Sequence, residues 1–500
     1  MAILVVILFG GKSTLVWLFL WVQILSLSLI CVFWLILLWF KFDGYLPRPI
    51  TNVLEICSEL IIFSFPIILV IDIFLIVVLL YIEGDFYLYA KLAELLPRII
   101  DWCHISVTKK SLILYLLIIL PHFIAVCLLF IDYDMSLLWS SYFGWYILFI
   151  CIEFWSLFTD LFFITCIGHL LLYCTLFLII FFSLGWHKGV KVHVFSWIWF
   201  FCGIALISTA VWWLYSLTGT IWWSTSQGIN IPGVELNSIQ HCFYFGVLLP
   251  IGLFPASYWS LCNCKTLPIS FRFFFNSAFY VHSFYMVMFI YEVFGGTGFN
   301  YQLFIILCVT ISTITVCLYF ETDFMGMVSL SAMLHTHFLL VIYILDNTTI
   351  QNGLVCDIWI QIVCISGLII ILSMYNRYYG EKITLAISGI FYKYPLIVLV
   401  NITLVGLLEN VTSKFVWQVY LDFTWTSENM LFFSILSVLV ICISSYWVIM
   451  AWRWWCLWFK VPKSPDIENP NTDDEWEVVI LVCLILVLIL SFFYPVIFYF

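Results

Sequence analysis

Residues 300–320 read NYQLFIILCVTISTITVCLYF and contain no charged side chain. A helix needs about 20 predominantly apolar residues to cross the hydrocarbon core of a bilayer, and this run has that length. After three polar residues the apolar pattern resumes at 324–345 as FMGMVSLSAMLHTHFLLVIYIL. The two runs predict a pair of transmembrane helices joined by a short connection.

The composition of the whole chain agrees with a membrane protein. Hydrophobic residues make up 65% of the 500 residues and charged residues only 9%, whereas soluble proteins contain about 25% charged residues. A soluble fold of this size could not bury so much apolar surface. The net charge of −10 also offers no basic surface, so we expect no nucleic-acid partner.

Fourteen apolar runs of the required length follow one another along the chain. They lie near residues 14–40, 56–82, 111–131, 136–158, 161–186, 194–216, 241–262, 270–294, 300–320, 324–345, 353–374, 384–408, 430–458 and 477–499. Most connections between the runs are short, which indicates a single bundle. We therefore expect an all-α fold, a polytopic transmembrane helical bundle of about 14 spans.

Several more polar segments interrupt the apolar runs. Residues 83–110 mix charged residues with Leu and Ile, which predicts an amphipathic helix on the membrane surface. Residues 217–240 and 460–477 are predicted to be solvated loops. The short piece at 411–425 follows the run at 384–408, and together they predict a discontinuous helix of the kind found in transporter folds.

Most of the 18 cysteines fall singly inside apolar runs, no Cys-x-x-Cys pair occurs, and the Cys-x-Cys of Cys262 and Cys264 has no second half. Isolated cysteines of this kind usually serve as small hydrophobic residues that line helices. We therefore expect no metal site and no disulfide. No ligand pattern for haem or for an iron–sulfur cluster occurs in the sequence either.

The N-terminal residues MAILVVILFG are followed by no small-residue cleavage site and by no Arg-rich amphipathic segment. We therefore expect neither a secretory signal nor a transit peptide, and synthesis inside the compartment that uses the protein. The heavy use of Phe (49), Tyr (27) and Trp (25) fits an AT-rich organellar genome.

Ionisable side chains inside the apolar runs are the candidate functional residues, because burying a charge in a bilayer is costly. Glu153 lies centrally in the run at 136–158, and Asp160 follows seven residues later. On a helix the two carboxylates would share one stripe about 10 Å apart. Further runs contribute lysines, histidines and a second glutamate.

These residues suggest a relay in which acids and bases alternate. The primary candidates are Glu153, Lys191, Glu292, His335, Lys393 and Lys414. The secondary candidates are Asp160, Lys188, His193, His337, Gln361 and Gln418. Neighbouring groups of opposite sign keep each other ionised, and a change in one charge alters the next. Such a chain suits proton movement better than the binding of an organic ligand.

Several candidates also have a structural interpretation. Lys188 and Lys191 can anchor a helix end at the membrane surface, and Asp357 near the start of its run favours an interfacial position. His335 and His337 point to nearly opposite faces of one helix, so at most one of them should face the bundle interior. Isolated histidines in helices are commonly hydrogen-bonded packing residues.

The stretch at 301–338 resembles the antiporter-like subunits of respiratory complex I. Their pattern there is Gln-Thr-Asp, a lysine two residues on, then Ile-Ala-Tyr-Ser-Ser and a histidine. The residues that match are Thr322, Asp323, Ser331 and His335. The chain departs from the pattern with Glu321 in place of the glutamine and Met325 in place of the lysine.

The resemblance continues in both directions. Residues 352–382 resemble the next span of the family, where Gln361 occupies a histidine position. In the following segment the matches are Gly389, Pro395, Asn401, Leu404 and Asn410. Its terminal glutamate falls on Lys414, or on Gln418 if a gap is introduced. Upstream, Glu153 matches a family glutamate, and a family lysine falls on Val293, beside Glu292.

The resemblance covers roughly residues 140–425 and is strongest with subunit 4 of the family. It implies an antiporter-like inverted-repeat architecture with three parts. Residues 1–135 would form N-terminal transmembrane helices and the surface segment, 136–425 the proton-translocating core, and 426–500 C-terminal transmembrane helices. The departures from the family pattern indicate a divergent, protist-like lineage.

The function implied is that of a proton-translocating membrane-arm subunit of NADH:ubiquinone oxidoreductase in the mitochondrial inner membrane. The chain would be an enzyme only as part of that complex and would carry out no redox chemistry itself. NAD, FMN, iron–sulfur clusters and ubiquinone are expected in other subunits. The expected partners are other membrane-arm subunits and lipids such as cardiolipin.

Two alternatives stay open from the sequence, and a third is less favoured. The chain can be a non-pumping structural subunit of the same membrane arm, or a free-standing cation/proton antiporter. A membrane acyl or glycosyl transferase is less favoured, because no loop carries a cluster of acidic residues or a His–Asp set.

Overall fold

Apolar runs form helices in lipid because their backbone N–H and C=O groups find no water and must pair within the segment. The structure is a computed structural model, and it describes residues 67–75, 86–87, 106–107, 109–131, 139–159, 162–184, 186–219, 234–257, 275, 279–294, 301–345, 351–379, 389–392, 395, 397–409 and 430–460. Within these ranges the regular structure is helical apart from one short β pair.

The chain divides into two units. The first comprises Met1–Gly246 and Tyr285–Gly296, and the second comprises Val247–Phe284 and Thr297–Phe500. The boundaries expected at residues 135 and 425 stay a prediction.

Five successive helices account for most of the described part of the first unit. They are α1 (Lys109–Ile131), α2 (Trp139–Phe158), α3 (Phe162–Leu184), α4 (Trp186–Thr218) and α5 (Val234–Leu248). α1 packs on α2, α2 on α3 and α3 on α4. The contact between α2 and α3 is the most extensive of these, so it fixes the surroundings of the side chains on α2.

The second unit is built around one fully buried helix. The helix α6 (Tyr280–Val293) belongs to this unit only up to Phe284, and its remainder belongs to the first unit. The helices that follow are α7 (Tyr301–Phe320), α8 (Phe324–Leu345), α9 (Gln351–Tyr379), α10 (Ile397–Glu409) and α11 (Met430–Phe459). α8 packs against α7 and α9, and α7 also packs against α11. Every residue of α8 from Phe324 to Ile344 is buried. Polar side chains on α8 therefore meet protein whichever way they point.

Four described helices are long and apolar enough to cross a membrane. They are Ile198–Thr218, Gln302–Phe320, Phe324–Ile344 and Ser437–Phe459. These four helices confirm the prediction of a helical membrane protein. The bounds of α8 match the predicted run at 324–345. The count of fourteen spans stays a prediction, because the runs at 14–40 and 477–499 and the piece at 411–425 lie outside the described residues.

The amphipathic helix predicted over 83–110 is wrong for four of the six residues described there, since only Lys109 and Lys110 are helical, as the start of α1. Phe86–Tyr87 pairs with Ser106–Val107 as a two-residue antiparallel ladder. Aromatic and β-branched residues favour strands, and three of these four residues belong to those classes. The helix was predicted from the mixture of charged and apolar residues over 83–110, which carries no information about this preference for strands.

The span predicted at 241–262 is interrupted, and it begins earlier than predicted. α5 starts at Val234, inside the predicted loop at 217–240, and ends at Leu248. A 3-10 turn follows at Leu249–Ile251, and Gly252 adopts φ 96° with its N–H donating to the Leu249 carbonyl. Pro250 has no N–H to continue a helical ladder, so the backbone leaves the helix here.

Candidate functional site

Four of the predicted site residues have described side chains: Glu153, His335, His337 and Gln361. Four others are placed on helices by their backbone only, namely Lys188, Lys191 and His193 on α4 and Glu292 on α6. The remaining four lie outside the described residues: Asp160, Lys393, Lys414 and Gln418. The structure therefore tests the relay only at Glu153 in the first unit and around α8 in the second.

Glu153 forms a contact with a histidine that the sequence reasoning missed. Its Oε2 lies 2.7 Å from Nε2 of His122 on α1, and both side chains are 0% exposed. This length lies at the short end of the range for hydrogen bonds between nitrogen and oxygen. The contact joins two titratable groups deep inside an otherwise apolar helix pair.

Aromatic side chains also pack between α1 and α2. The ring of Tyr115 lies edge-on to those of Phe154 and Phe158, with centroids 5.3 and 5.4 Å apart. Phe149 lies 6.2 Å from the His122 ring. Because both side chains of the pair are fully buried, an isolated charge here would cost much free energy, and the contact between the two polar groups offsets part of that cost.

The local sequence explains how the pair is positioned. His122 directly follows Pro121 inside α1. Because proline has no N–H, it cannot donate to the Leu117 carbonyl one turn earlier in the helix. On α2 the Ser156 hydroxyl donates to the Glu153 carbonyl oxygen at 2.9 Å. A histidine directly after a proline within an apolar run is the signal that could have identified His122.

A second buried polar group of the first unit lies on α3. His169 packs on Tyr173 with ring centroids 4.4 Å apart, and the Tyr173 hydroxyl donates to the Gly246 carbonyl at 3.3 Å. α2 and α3 approach closely here, because a Cβ on Gly168 would lie 2.8 Å from the Ser156 Cβ. His169 was also missed by the sequence reasoning.

In the second unit both nitrogens of His335 face backbone carbonyls. Nδ1 lies 2.6 Å from the Ser331 oxygen, and Nε2 lies 3.3 Å from the Leu408 oxygen on α10. Tyr446 on α11 lies edge-on to the imidazole with ring centroids 5.7 Å apart. His335 thus connects three helices.

The prediction that at most one histidine of α8 faces the interior is wrong. His335 and His337 point in different directions, yet both are buried. The reason is that α8 is surrounded by other helices, so that both of its faces are interior. Nδ1 of His337 lies 2.8 Å from the Met333 carbonyl oxygen, and no partner for its Nε2 exists among the described residues.

Gln361 on α9 forms a fixed hydrogen-bonded contact with α8. Its amide nitrogen donates to the Thr336 hydroxyl at 2.9 Å and to the Ala332 carbonyl at 3.1 Å. Beside it lies a cavity of about 10 Å³ lined by Gln361, Thr336 and residues of α6, which is close to the space that one water needs. An amide does not titrate near neutral pH, so Gln361 orients its neighbours and carries no charge.

The Thr322–Asp323 motif has a structural role. The Glu321 carboxylate accepts hydrogen bonds from the N–H groups of Thr322 and Asp323 at 3.1 and 3.0 Å. The Asp323 carboxylate accepts from the Met325 N–H at 3.0 Å, which caps the start of α8. These contacts fix the turn between α7 and α8.

Arg453 on α11 completes this turn, and the sequence reasoning missed it. Its guanidinium donates to the carbonyls of Leu318 and Glu321 at 2.7 and 2.5 Å and also to that of Tyr319. Carbonyls at a helix C-terminus lack partners within the helix, and a cation there is favourable. Arg453 therefore caps α7 from a neighbouring helix.

No group of three or more histidine, cysteine or acidic residues in the described ranges could hold a metal ion. The described sites place titratable side chains within hydrogen-bonding distance of neighbouring groups, an arrangement suited to proton exchange. Both sites combine a titratable group with buried surroundings.

Comparison with solved structures reveals a close likeness of fold. A chain of respiratory complex I from Thermus thermophilus with bound aureothin matches with a TM-score of 0.66 at 11% identity, over 95% of this chain and 98% of that one. A chain of the membrane-bound sulfane sulfur reductase, an archaeal respiratory membrane complex, matches with 0.67 at 13% identity, over 95% of both chains.

The chain shares the fold of these respiratory-complex chains. A second T. thermophilus complex I structure, with bound NADH, gives a TM-score of 0.63 at 10% identity over 93% of this chain. No protein-family model and no curated protein sequence matches the chain.

Proposed function

We propose that this chain is a proton-translocating subunit of the membrane arm of NADH:ubiquinone oxidoreductase, similar to subunit 4, in the mitochondrial inner membrane. It would couple quinone reduction elsewhere in the complex to proton transfer across that membrane. The observation that carries the proposal is the buried contact between His122 and Glu153. The fold likeness to chains of T. thermophilus respiratory complex I supports the assignment to this class of assembly.

The His122–Glu153 pair suits proton exchange because one proton can belong to either partner. With the proton on oxygen the pair is a neutral imidazole and a carboxylic acid, and with it on nitrogen the pair is an imidazolium and a carboxylate. Neither form has a net charge, so neither leaves an isolated charge in the apolar interior. A further proton that arrives or departs changes the charge of the pair and thereby acts on neighbouring titratable groups.

The other members of the relay remain part of this proposal. Lys191, Glu292, Lys393 and Lys414 would extend the path beyond Glu153 and His335, with the secondary candidates as local partners. The NAD, FMN, iron–sulfur clusters and ubiquinone of the complex would be held by other subunits. Membrane-arm subunits and lipids such as cardiolipin would surround the chain.

Replacement of Glu153 by Gln tests the proposal, because the amide keeps the shape of the carboxylate and cannot carry the proton. In the assembled enzyme reconstituted in vesicles, we expect Glu153→Gln to lower the number of protons moved per electron. Thr175→Val is the matched control, since Thr175 is a buried polar residue of α3 whose hydroxyl bonds only to backbone carbonyls of its own helix. Unchanged pumping by a fully assembled Glu153→Gln enzyme would refute the proposal.

A non-pumping structural subunit is the second candidate. The observation that favours it is Gln361, which replaces a titratable histidine of the family pattern by an amide held between Thr336 and Ala332. This candidate predicts equal proton-to-electron ratios in the wild type and in Glu153→Gln. A free-standing cation/proton antiporter predicts instead that the chain is isolated as a single polypeptide and not within a large assembly.

A further inference from the structure

An apolar groove of about 610 Å³ runs along α7 in the second unit. One wall is formed by residues of α7 between Ile305 and Cys317, and the other walls by Val438 of α11 and by Phe254 and Pro255 of the turn after α5. A helix rises about 1.5 Å per residue, so the wall on α7 is about 18 Å long. One leaflet accounts for about 15 Å of the hydrocarbon core. The groove is therefore about as long as the acyl region of one leaflet.

The polar side chains that α7 contributes to the groove are hydrogen-bonded within the helix. The Ser312 hydroxyl donates to the Cys308 carbonyl at 2.9 Å, and the Thr313 hydroxyl donates to the Thr310 carbonyl at 2.8 Å. Neither hydroxyl keeps a proton to donate to an occupant. The rest of the α7 wall consists of Ile, Val and Cys side chains. An occupant of the groove therefore gains free energy by burying apolar surface and not by hydrogen bonding.

The size and the rim of the groove favour a single flexible hydrocarbon chain over a transmembrane helix of a partner. Pockets that hold one small molecule measure about 300–1,000 Å³, and this groove lies within that range. Helices in membranes approach one another through small residues such as glycine and alanine. Here the side chains at the rim are aromatic or branched, and they are well exposed: Phe254 47%, Val316 58% and Val438 52%. They would keep the backbone of a partner helix away from α7.

The end of the groove at Cys317 lies beside residues that are typical of a membrane–water interface. Trp and Tyr concentrate at the level of the lipid head groups, where Lys and Arg also place their charges. The aromatic side chains exposed at this end of α7 and α11 are Tyr319, Phe320, Trp452 and Trp455. Arg453 binds the carbonyl of Leu318, the residue after Cys317, and the exposed Lys460 follows α11. This end of the groove therefore lies at the head-group level.

The charges at this end are complementary to a phosphate group. The Arg453 guanidinium has five N–H donors, and three of them reach carbonyls at the end of α7 and at Glu321. The Glu321 carboxylate accepts from the N–H groups of Thr322 and Asp323 and offsets part of the Arg453 charge. Lys460 forms no ion pair within the part of the chain that the structure describes. Its ammonium and the remaining guanidinium donors are thus available to phosphate oxygens.

We propose that this groove binds one acyl chain of a membrane phospholipid, whose phosphate group binds Lys460 and Arg453. The acyl chain runs from Cys317 towards Ile305 and fills the space between α7 and α11. The inference goes beyond the proposed function and does not depend on proton transfer, because it concerns only the contact between the chain and the bilayer.

Photolabelling of the purified assembly tests the inference. The probes are two phosphatidylcholines that carry a diazirine either at the end of an acyl chain or close to its ester bond. After reconstitution, excess lipid is washed away with detergent before illumination. The probe labelled at the chain end should react with Ile305 and Val309, and the probe labelled near the ester should react with Val316 and Cys317.

Variants of the groove and of its charged end give the matched controls. Val309→Trp fills the groove and should lower the retained label on α7 severalfold. Val448→Trp should retain the label at the wild-type level, because Val448 is an exposed valine of α11 outside the groove. Lys460→Gln should also lower retention severalfold, whereas Lys460→Arg should restore it. The Lys460 pair decides the question if Val309→Trp does not assemble.

Three results would overturn the inference. The first is equal labelling of α7 in the wild type and in Val309→Trp or Lys460→Gln. The second is labelling by the two probes without the expected order along α7. The third is a photoreactive residue at position 309 that crosslinks to a second polypeptide or to an isoprenoid tail instead of a phospholipid. The proposed function is judged separately by Glu153→Gln, so each can fail without the other.

Discussion

A single histidine changes the interpretation of Glu153. A lone buried carboxyl group in an apolar helix would have to stay protonated or destabilise the fold, whereas a carboxyl group 2.7 Å from an imidazole can pass its proton to the ring nitrogen and take it back. Glu153 was predicted to be functional because a charged group at the centre of an apolar run is costly to bury. His122 was missed because an isolated histidine in a helix is usually a packing residue. Its partner Glu153 lies 31 positions further along the sequence, so no local pattern links the two.

Removal of one partner should destabilise the protein more than removal of both. We expect His122→Leu to lower the free energy of unfolding by about 3 to 5 kcal/mol, because it leaves Glu153 buried without its partner. The double variant His122→Leu/Glu153→Leu should regain much of that stability while losing proton transfer. Thermal denaturation of the solubilised complex measures the first effect. Equal stability of the single and double variants would show that the two residues are not coupled.

At the scale of helices, the approach of α2 to α3 depends on the absence of a side chain at Gly168. Any Cβ there would meet the Ser156 Cβ at 2.8 Å, and Ser156 lies one turn from Glu153. The sequence predicted the two helices from their apolar runs. It could not predict which residues touch, because helices that are apolar all round carry no periodic signal for their packing face.

We expect Gly168→Ala to destabilise the protein by about 1 to 3 kcal/mol, because the added methyl group forces α2 and α3 apart. Gly406→Ala on α10 is the matched control, since nothing lies within 4 Å of the added Cβ. There the change should be neutral or stabilising, because alanine favours helix over glycine. Thermal denaturation of the two variants separates the cases, and similar melting temperatures would contradict the packing described for α2 and α3.

Arg453 on α11 contacts the end of α7, and no local sequence pattern predicts this contact. A cation in an aromatic-rich run suggests an anchor at the membrane surface, yet its guanidinium caps α7. We expect Arg453→Leu to lower the free energy of unfolding by about 2 kcal/mol, because the charged hydrogen bonds to the α7 carbonyls are lost. Arg453→Lys should retain part of this stability with fewer donors. A melting temperature of Arg453→Leu equal to that of the wild type would mean that the cap contributes nothing.

At the scale of the whole molecule, the helical membrane fold follows from composition, and the relay does not. A chain with 65% hydrophobic residues and few charges must lie in a bilayer, where only helices or a closed barrel satisfy the backbone hydrogen bonds. The apolar runs of about 20 residues predict helices. The geometry of the relay depends on which helices pack against one another. The structure describes the surroundings of Glu153 and those of His335 separately. Lys393 and Lys414 lie outside the described residues, so their roles stay predictions.

The proposed membership of a respiratory assembly also makes a prediction about partners. We expect the chain, solubilised in a mild detergent, to migrate on native gels in a very large complex that oxidises NADH. Its exposed apolar residues on α7 and α11, such as Phe320 and Trp452, would then face lipid or other subunits. Recovery of the chain only as a free polypeptide without NADH dehydrogenase activity would favour the antiporter alternative.

The most direct test of the account is the number of protons moved per NADH oxidised by the purified assembly in sealed vesicles, compared between the wild type and Glu153→Gln. The account predicts a lower ratio for Glu153→Gln at an unchanged level of assembly, with Thr175→Val equal to the wild type. The same ratio in all three enzymes would contradict it, and the chain would then be a structural component of the membrane arm.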